Sequence, residues 1–243
     1  SDVSLALRNG TVEVAAMTLD EALTVAQDGV ELRVIPILDF SAGGDALLGA
    51  LGRVETLDAL VGKRVSVENS AVAAVLLDGA LSAANLTLEA VVPVNVSVES
   101  HEQVALEGGV DAIVTFEPAR SRLLARGFIP LFDSTSIPHR IVDVLVMTRA
   151  TLEARGHSTR RLIAAHFQAL AQLQNNPKTA HTRMAPRLGV ALADVASVFE
   201  GLAFAGLEEN RQLLGDQRGM MTLPSDLKGL MLARAMYRVR LDA

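Results

Sequence analysis

The 243-residue sequence contains no cysteine, which excludes disulfides, thiolate metal sites and thiol nucleophiles together. It has no tryptophan and a single tyrosine, Tyr237. That is too few aromatic faces for stacked sugar sites or for cages around quaternary amines. No Lys/Arg cluster stands out. Arg160-Arg161 and the spread from Arg234 to Arg240 are diluted by apolar residues in helical patterns, and the formal net charge is -6. The sequence therefore offers no basic face to neutralise phosphates, and nucleic acid is not an expected partner. Apolar residues make up 50% of the chain, yet Asp, Glu, Arg, Gly or Pro interrupts every run before the roughly 18 to 20 residues a membrane span needs. The opening Ser1-Asp2-Val3-Ser4 shows no basic stretch ahead of an apolar core, so any secretory signal is expected to have been removed or to lie outside this sequence.

Catalytic signatures are equally scarce. His101, His139, His157, His166 and His181 show no H-x-x-x-H or H-E-x-x-H spacing, and each reads as a surface or capping residue, so no metal site is expected. The G-x-S-x-G, G-x-x-x-x-G-K-[ST] and G-x-G-x-x-G patterns are absent, which removes nucleophile elbows, phosphate loops and dinucleotide fingerprints. No cofactor, no catalytic residue and no enzyme activity is expected from these patterns.

What the chain does contain is an alternation of short β-branched runs with helical periods. Strands are predicted at 12–17, 32–38, 64–68, 88–94, 112–116 and 142–147, and helices at 19–28, 71–84 and 102–107. Such a βαβα order implies α/β architecture with parallel sheets covered by helices on both faces. From Thr151 onward the period is helical, punctuated at Gly156, Asn175-Asn176-Pro177, Pro186, Gly206, Gly215 and Pro224, which predicts four or five helices.

An internal repeat organises the first part. Ala6 to Ala22, ALRNGTVEVAAMTLDEA, and Ala105 to Ala119, ALEGGVDAIVTFEPA, share Ala-Leu, a Gly, Val-acidic, an apolar strand, Thr, an acidic residue and Ala. Two lobes built on one plan produce such a match. A strand-helix-strand, Arg64 to Val94, precedes the second copy, whereas five residues precede the first. The first lobe is thus expected to lack its opening β-α-β unit and to leave a sheet edge uncovered, which either a separate polypeptide segment fills or self-association covers.

In open α/β sheets, small molecules bind beyond the carboxyl ends of strands, where helix N-termini present N–H groups and the positive end of the dipole. Three junctions fit. Thr18, with Glu21 three residues on, forms a capping-box pattern. Ser70 precedes Ala71 and Val72, whose N–H groups a ligand could approach. Glu117 ends a strand, with Pro118 suited to the first helical position. Ser41 and Gly43, in Ser41-Ala42-Gly43-Gly44-Asp45, form a further binding or hinge candidate. Thr18 and Ser70 equally suit plain capping, Glu117 an exposed first-turn acid, and the Ser41 loop a simple turn. Ser100 with Gln103 reads as a structural capping box.

The runs at 62–81, 110–147 and 12–49 together resemble the nitrate, sulfonate, bicarbonate and thiamine-precursor binding proteins of ABC importers. The resemblance implies a type II periplasmic-binding-protein fold of two α/β lobes, joined by two crossings, that closes over its ligand. Lobe I would comprise residues 1–45 plus 141–243, and lobe II residues 46–140. The family's ligand contacts fall on strand-to-helix junctions, which here are Thr18, the Ser41 loop with Gly43, Ser70, Ala71, Val72 and Glu117. The expected solute is small, organic and anionic, or pyrimidine-like through Glu117. The expected partner is a membrane permease met transiently, and the expected location is periplasmic or otherwise extracytoplasmic, with a lipid anchor as one way of holding it at the membrane. Two alternatives stand beside this: an enzyme of the same fold, such as a pyrimidine synthase or a lyase, and a ligand-sensing module. Pyrimidine synthases of this type carry a cysteine-rich motif that a chain without cysteine cannot have.

Overall fold

The computed structural model describes residues 2–68 and 70–214. The expectations at Gly215, Pro224, Arg234 to Arg240 and Tyr237 lie outside the described residues. In chain order the elements are α1 (Asp2–Arg8), β1 (Val14–Thr18), α2 (Leu19–Gln27), β2 (Leu32–Ser41), β3 (Ala46–Ala50), β4 (Arg64–Val67), α3 (Ala71–Ala83) and β5 (Val92–Asn95). There follow α4 (His101–Leu106), β6 (Ala112–Thr115), α5 (Ala119–Leu124), β7 (Phe128–Asp133), β8 (Val142–Thr148), α6 (Arg149–Ala154), α7 (Gly156–Asn175), α8 (Pro177–Leu188), β9 (Leu202–Phe204) and α9 (Leu207–Leu214).

The chain folds into two compact units. Among the described residues, unit 1 comprises 2–40, 142–196 and 203–214, and unit 2 comprises 41–141 together with the short excursion 197–202.

Unit 1 carries a four-stranded sheet in the order β1-β8-β2-β9. Both β1 and β2 pair antiparallel with β8. The expectation of parallel sheets fails here for a topological reason: β8 arrives directly from unit 2 with no crossover helix, so nothing obliges it to run with its neighbours. One face of this sheet is sealed by α1 and α2. Leu7, Leu19, Ala22 and Val25 pack with Ala15, Met17, Ile37, Val144 and Val146 into one apolar cluster. In α2 the buried residues Leu19, Ala22 and Val25 recur at helical spacing, which is why this stretch coils rather than extends.

β2 is irregular, with register shifts between Val34 and Ile37 and between Ile37 and Asp39. Pro36 lies in this stretch and cannot donate to a ladder. The side chain of Asn210 repairs the interruption. Ile37 N–H donates to its Oδ1 at 2.7 Å, and its Nδ2 donates to the carbonyls of Ile37 (2.9 Å), Ala205 (3.1 Å) and Gly206 (3.1 Å). Asn210 is 5% exposed, so one side chain acts as a substitute strand residue and fastens α9 to β2.

Unit 2 has five strands in the order β5-β4-β6-β3-β7. β5, β4 and β6 run parallel, as expected of a βαβ unit, whereas β3 is antiparallel to both β6 and β7. Helix α3 covers one face: Ala73, Leu76, Leu77 and Ala80 pack on Leu47, Val65, Ala112 and Val114. Helices α4 and α5 cover the other, where Ala105 and Leu123 pack on Leu48, Ile113 and Phe128. β3, with sequence ALLGA, was not anticipated. Its first four residues are buried on both faces, so it lacks the polar alternation that marks a strand. Gly49 is required in it, because a Cβ there would lie 2.1 Å from the Val54 carbonyl oxygen.

The ladders also place the repeat in register. Thr148 N–H donates to Glu13 O and Ala50 N–H to Asp111 O, each at 3.0 Å. Glu13 therefore corresponds to Asp111 and Met17 to Thr115, one residue off the alignment that matched Thr18 with Thr115.

Candidate functional site

In unit 2, β4 and β6 are adjacent and parallel. β4 leads into α3 on one face of the sheet and β6 leads into α5 on the other. Their carboxyl ends thus flank a topological switch point, the position where successive connections diverge and leave a crevice.

Ser70 stands at one lip. It is extended (φ -131°, ψ 153°), caps α3, and its hydroxyl accepts from Ala73 N–H at 3.3 Å. That bond satisfies one of the first-turn donors, so the N–H groups of Ala71 and Val72 remain without an intrahelical acceptor at the positive end of a 13-residue helix. The strand leaves small residues here, which is what close approach to backbone requires.

Glu117 stands on the other side, after β6, preceded by Phe116, which is 38% exposed. The carboxylate of Glu117 is taken up locally. It accepts from Arg120 Nη1 at 3.1 Å, Ser121 N–H at 3.2 Å and Ser121 Oγ at 2.9 Å, and its side chain is 8% exposed. It works as the capping acid of α5. Pro118 is the N-cap residue, with Ala119 the first residue of α5.

Beneath Phe116 lies a residue that sequence reasoning placed at the surface. His101 is 2% exposed. Its Nδ1 is 3.2 Å from Thr115 Oγ1, and its ring meets Phe116 edge-on at 6.3 Å. Burial pushes its pKa below the usual imidazole value, against the opposing pull of Glu68, a backbone hydrogen bond at Val96, and Glu99. The buried imidazole is thus within hydrogen-bond reach of the hydroxyl that ends β6. No motif could have announced this, since its partner is 14 residues away and the contact exists only once α4 packs on the sheet.

The other candidates are placed as follows. Thr18 is the N-cap of α2, but its side chain makes no cap bond, and among the described residues its buried Oγ1 has no hydrogen-bond partner. The capping box read from Thr18 and Glu21 is therefore not formed. Ser100 makes no cap bond either; its hydroxyl receives Ser97 Oγ at 3.3 Å, while Gln103 bonds Glu107. Ser41 and Gly43 belong to a closed network in unit 2. Ser41 Oγ lies 2.7 Å from Ser134 Oγ, Gly43 N–H donates to Ser134 Oγ at 2.7 Å, and Asp45 N–H donates to Ser41 Oγ at 3.2 Å. Gly201 O accepts from Ala42 and Gly44 N–H, at 2.7 and 3.1 Å. Burial holds the Asp45 carboxyl above its ordinary value. The structure therefore brings Ser70, Ala71, Val72 and the Phe116-Glu117 junction to adjacent strand ends of unit 2, sets Ser41 at the end of β2 and Gly43 in the bend that follows it, and sets Thr18 in unit 1. Among the described residues, no group of three His, Asp or Glu side chains is arranged to hold a metal ion.

Two open-sheet α/β units with a switch-point crevice are the type II periplasmic-binding fold. The model of the NMT1-like family matches residues 1–189, and the chain belongs to that family. In three dimensions it is similar to the periplasmic aliphatic sulphonate binding protein SsuA from Escherichia coli, with a TM-score of 0.78 at 18% identity over 98% of this chain and 78% of that one. The alkanesulfonate-binding protein SsuA from Xanthomonas axonopodis pv. citri, bound to MOPS, gives 0.72 at 18% identity over 83% and 71%. A ligand-binding component of an ABC-type import system from Staphylococcus aureus gives 0.72 at 13% identity over 97% and 78%. No curated protein matches the chain. Among the described residues, no helix is long and apolar enough to cross a membrane.

Proposed function

We propose that this chain is the solute-binding component of an importer and captures a small organic anion, of the sulfonate or carboxylate kind, outside the cytoplasm. The observation that carries this reading is the switch point of unit 2, where the Ala71 and Val72 N–H groups sit at the start of α3, after the strand that pairs with β6, whose end bears Phe116. An oxyanion accepts hydrogen bonds from such a helix start without needing a cation, and the exposed aromatic suits the organic part of an amphipathic anion. The sulfonate-binding proteins that share the fold support the chemical class. Because Glu117 is engaged by Arg120 and Ser121, the pyrimidine alternative that relied on it loses its contact. Binding requires no chemistry, only higher affinity for one conformation than for another, which a membrane permease then reads.

A thermal-shift screen against alkanesulfonates, nitrate, bicarbonate, pyrimidines and small carboxylates tests this. Stabilisation that grows with concentration for a sulfonate or carboxylate supports the reading. Stabilisation by pyrimidines alone, or by none of these compounds, removes it.

A further inference from the structure

His101 opens α4, yet it is buried at the carboxyl ends of the strands that frame the switch point. Its Nδ1 is 3.2 Å from Oγ1 of Thr115, the last residue of β6, and its ring meets the next residue, Phe116, edge-on. On β4, Ser66 pairs with Ile113, so in the same parallel register Glu68 comes level with Thr115. Ser70, the N-cap of α3, follows two residues later. The imidazole therefore shares one end of two adjacent strands with the backbone groups proposed to hold the anion.

The charge acting on the ring is of one sign. Burial disfavours a proton on it, whereas Glu68 beyond β4, the backbone at Val96 and Glu99 ahead of α4 favour one. Other charged groups on the neighbouring helices are engaged with each other: Glu102 of α4 pairs with Arg122 of α5 at 3.4 Å, and Glu117 pairs with Arg120 at 3.1 Å. β6 contributes Thr115 and brings no charge. An anion added at the start of α3 has the sign of Glu68 and Glu99, so it moves the balance toward the protonated ring. Protonation also changes what the ring asks of its neighbour. A neutral ring can accept the Thr115 hydroxyl hydrogen at Nδ1, but an imidazolium donates at both nitrogens. Thr115 Oγ1 then accepts, and its hydrogen turns to another acceptor at the end of β6.

We propose that His101 is a positioning residue of the anion site: its ring takes up a proton as the anion binds, and capture strengthens as the medium becomes more acidic. The inference rests on the anion reading above. The sign follows from linkage, since an anion that favours the proton is favoured by the proton to the same factor. The gain appears as pH falls through the titration of the loaded chain and is complete below the titration of the empty one.

Calorimetric titration of the full chain with butanesulfonate, which stays ionised throughout, tests this. Affinity should rise about fivefold or more between about pH 7.5 and about pH 5. His101→Gln keeps a partner for Thr115 but no titrating ring, and its affinity should change by less than about twofold over the same range. The ring proton on Cε1 of His101, followed by NMR in the parent chain, needs no variant: its titration midpoint should move up when butanesulfonate saturates the chain. A midpoint that does not move, level affinity in the parent, or a rise that survives in folded His101→Gln overturns the inference and leaves the anion reading standing. A parent chain that binds butanesulfonate at no pH overturns the inference together with the sulfonate reading beneath it.

Discussion

Asn210→Ala should be among the most damaging single changes in unit 1. The substitution removes four hydrogen bonds and strands the N–H of Ile37 in the core, where Ile37 is 2% exposed. An unpartnered buried donor costs about 1 to 3 kcal/mol, and the two Nδ2 hydrogens, shared among three carbonyls, contribute about 0.5 to 1.5 kcal/mol each, so the expected loss is roughly 2 to 6 kcal/mol. Asn210→Asp is a sharper probe. It keeps the acceptor for Ile37 but turns an anionic oxygen toward three carbonyls, so it should cost at least as much at neutral pH. Desolvation and carbonyl repulsion raise the folded-state pKa of the introduced carboxyl above its unfolded value. Its deficit should therefore shrink as pH falls through that raised value, and the Asn210→Ala deficit should not. Urea unfolding, with each variant's loss taken against the parent at the same pH, measures both. A loss under about 1 kcal/mol for Asn210→Ala, or parallel pH curves for the two variants, would refute the assignment of Asn210 as a substitute for strand backbone.

Three further outcomes follow from the same structure. Gly201→Ala should lose about 2 to 4 kcal/mol in thermal or urea unfolding, because φ is +78° and a Cβ would sit 2.2 Å from Gly44 N, inside the turn that engages Ser41 and Gly43. Ser70→Ala should cost about 1 kcal/mol through loss of the cap on Ala73 N–H, measurable by the same unfolding curves. Burial lowers the folded-state pKa of both His101 and His166. Below the free imidazole value of about 6.5 the unfolded chain takes up protons that the folded chain refuses. Stability should thus decline as pH drops below that value, level off once the lowered folded pKa values are passed, and decline less in His101→Gln.

Much of the architecture was legible because period carries it. The strands at β1, β4, β6 and β8 and the helices α2 and α3 announce themselves through β-branched runs and helical spacing, and the Ala6 and Ala105 repeat announces two units on one plan. β3 and β7 escaped. β3 is buried on both faces and reads as a plain apolar run, and β7 carries Pro130, which removes a donor. The antiparallel placement of β8 is a matter of connection and not of local sequence. The capping of α3 by Ser70 was legible because a small polar residue between a strand and an apolar helix suits that place. The engagement of Glu117 was not, since an acid three residues before an arginine suits a binding site and a local ion pair equally well. Burial of His101 and the bonds of Asn210 depend on residues 14 and 173 positions away, distances over which a sequence pattern says nothing.

The central claim is that the start of α3 holds the anion. Ala71→Pro tests it most directly, because proline suits the first helical position and the extended Ser70 backbone already accommodates a following proline. The variant removes one N–H and little else. In calorimetric titration with the anion that stabilises the parent chain most, the variant should keep its fold and lose about tenfold to 150-fold in affinity, the worth of one hydrogen bond to a charged group. Equal affinity in a folded Ala71→Pro chain would contradict the claim.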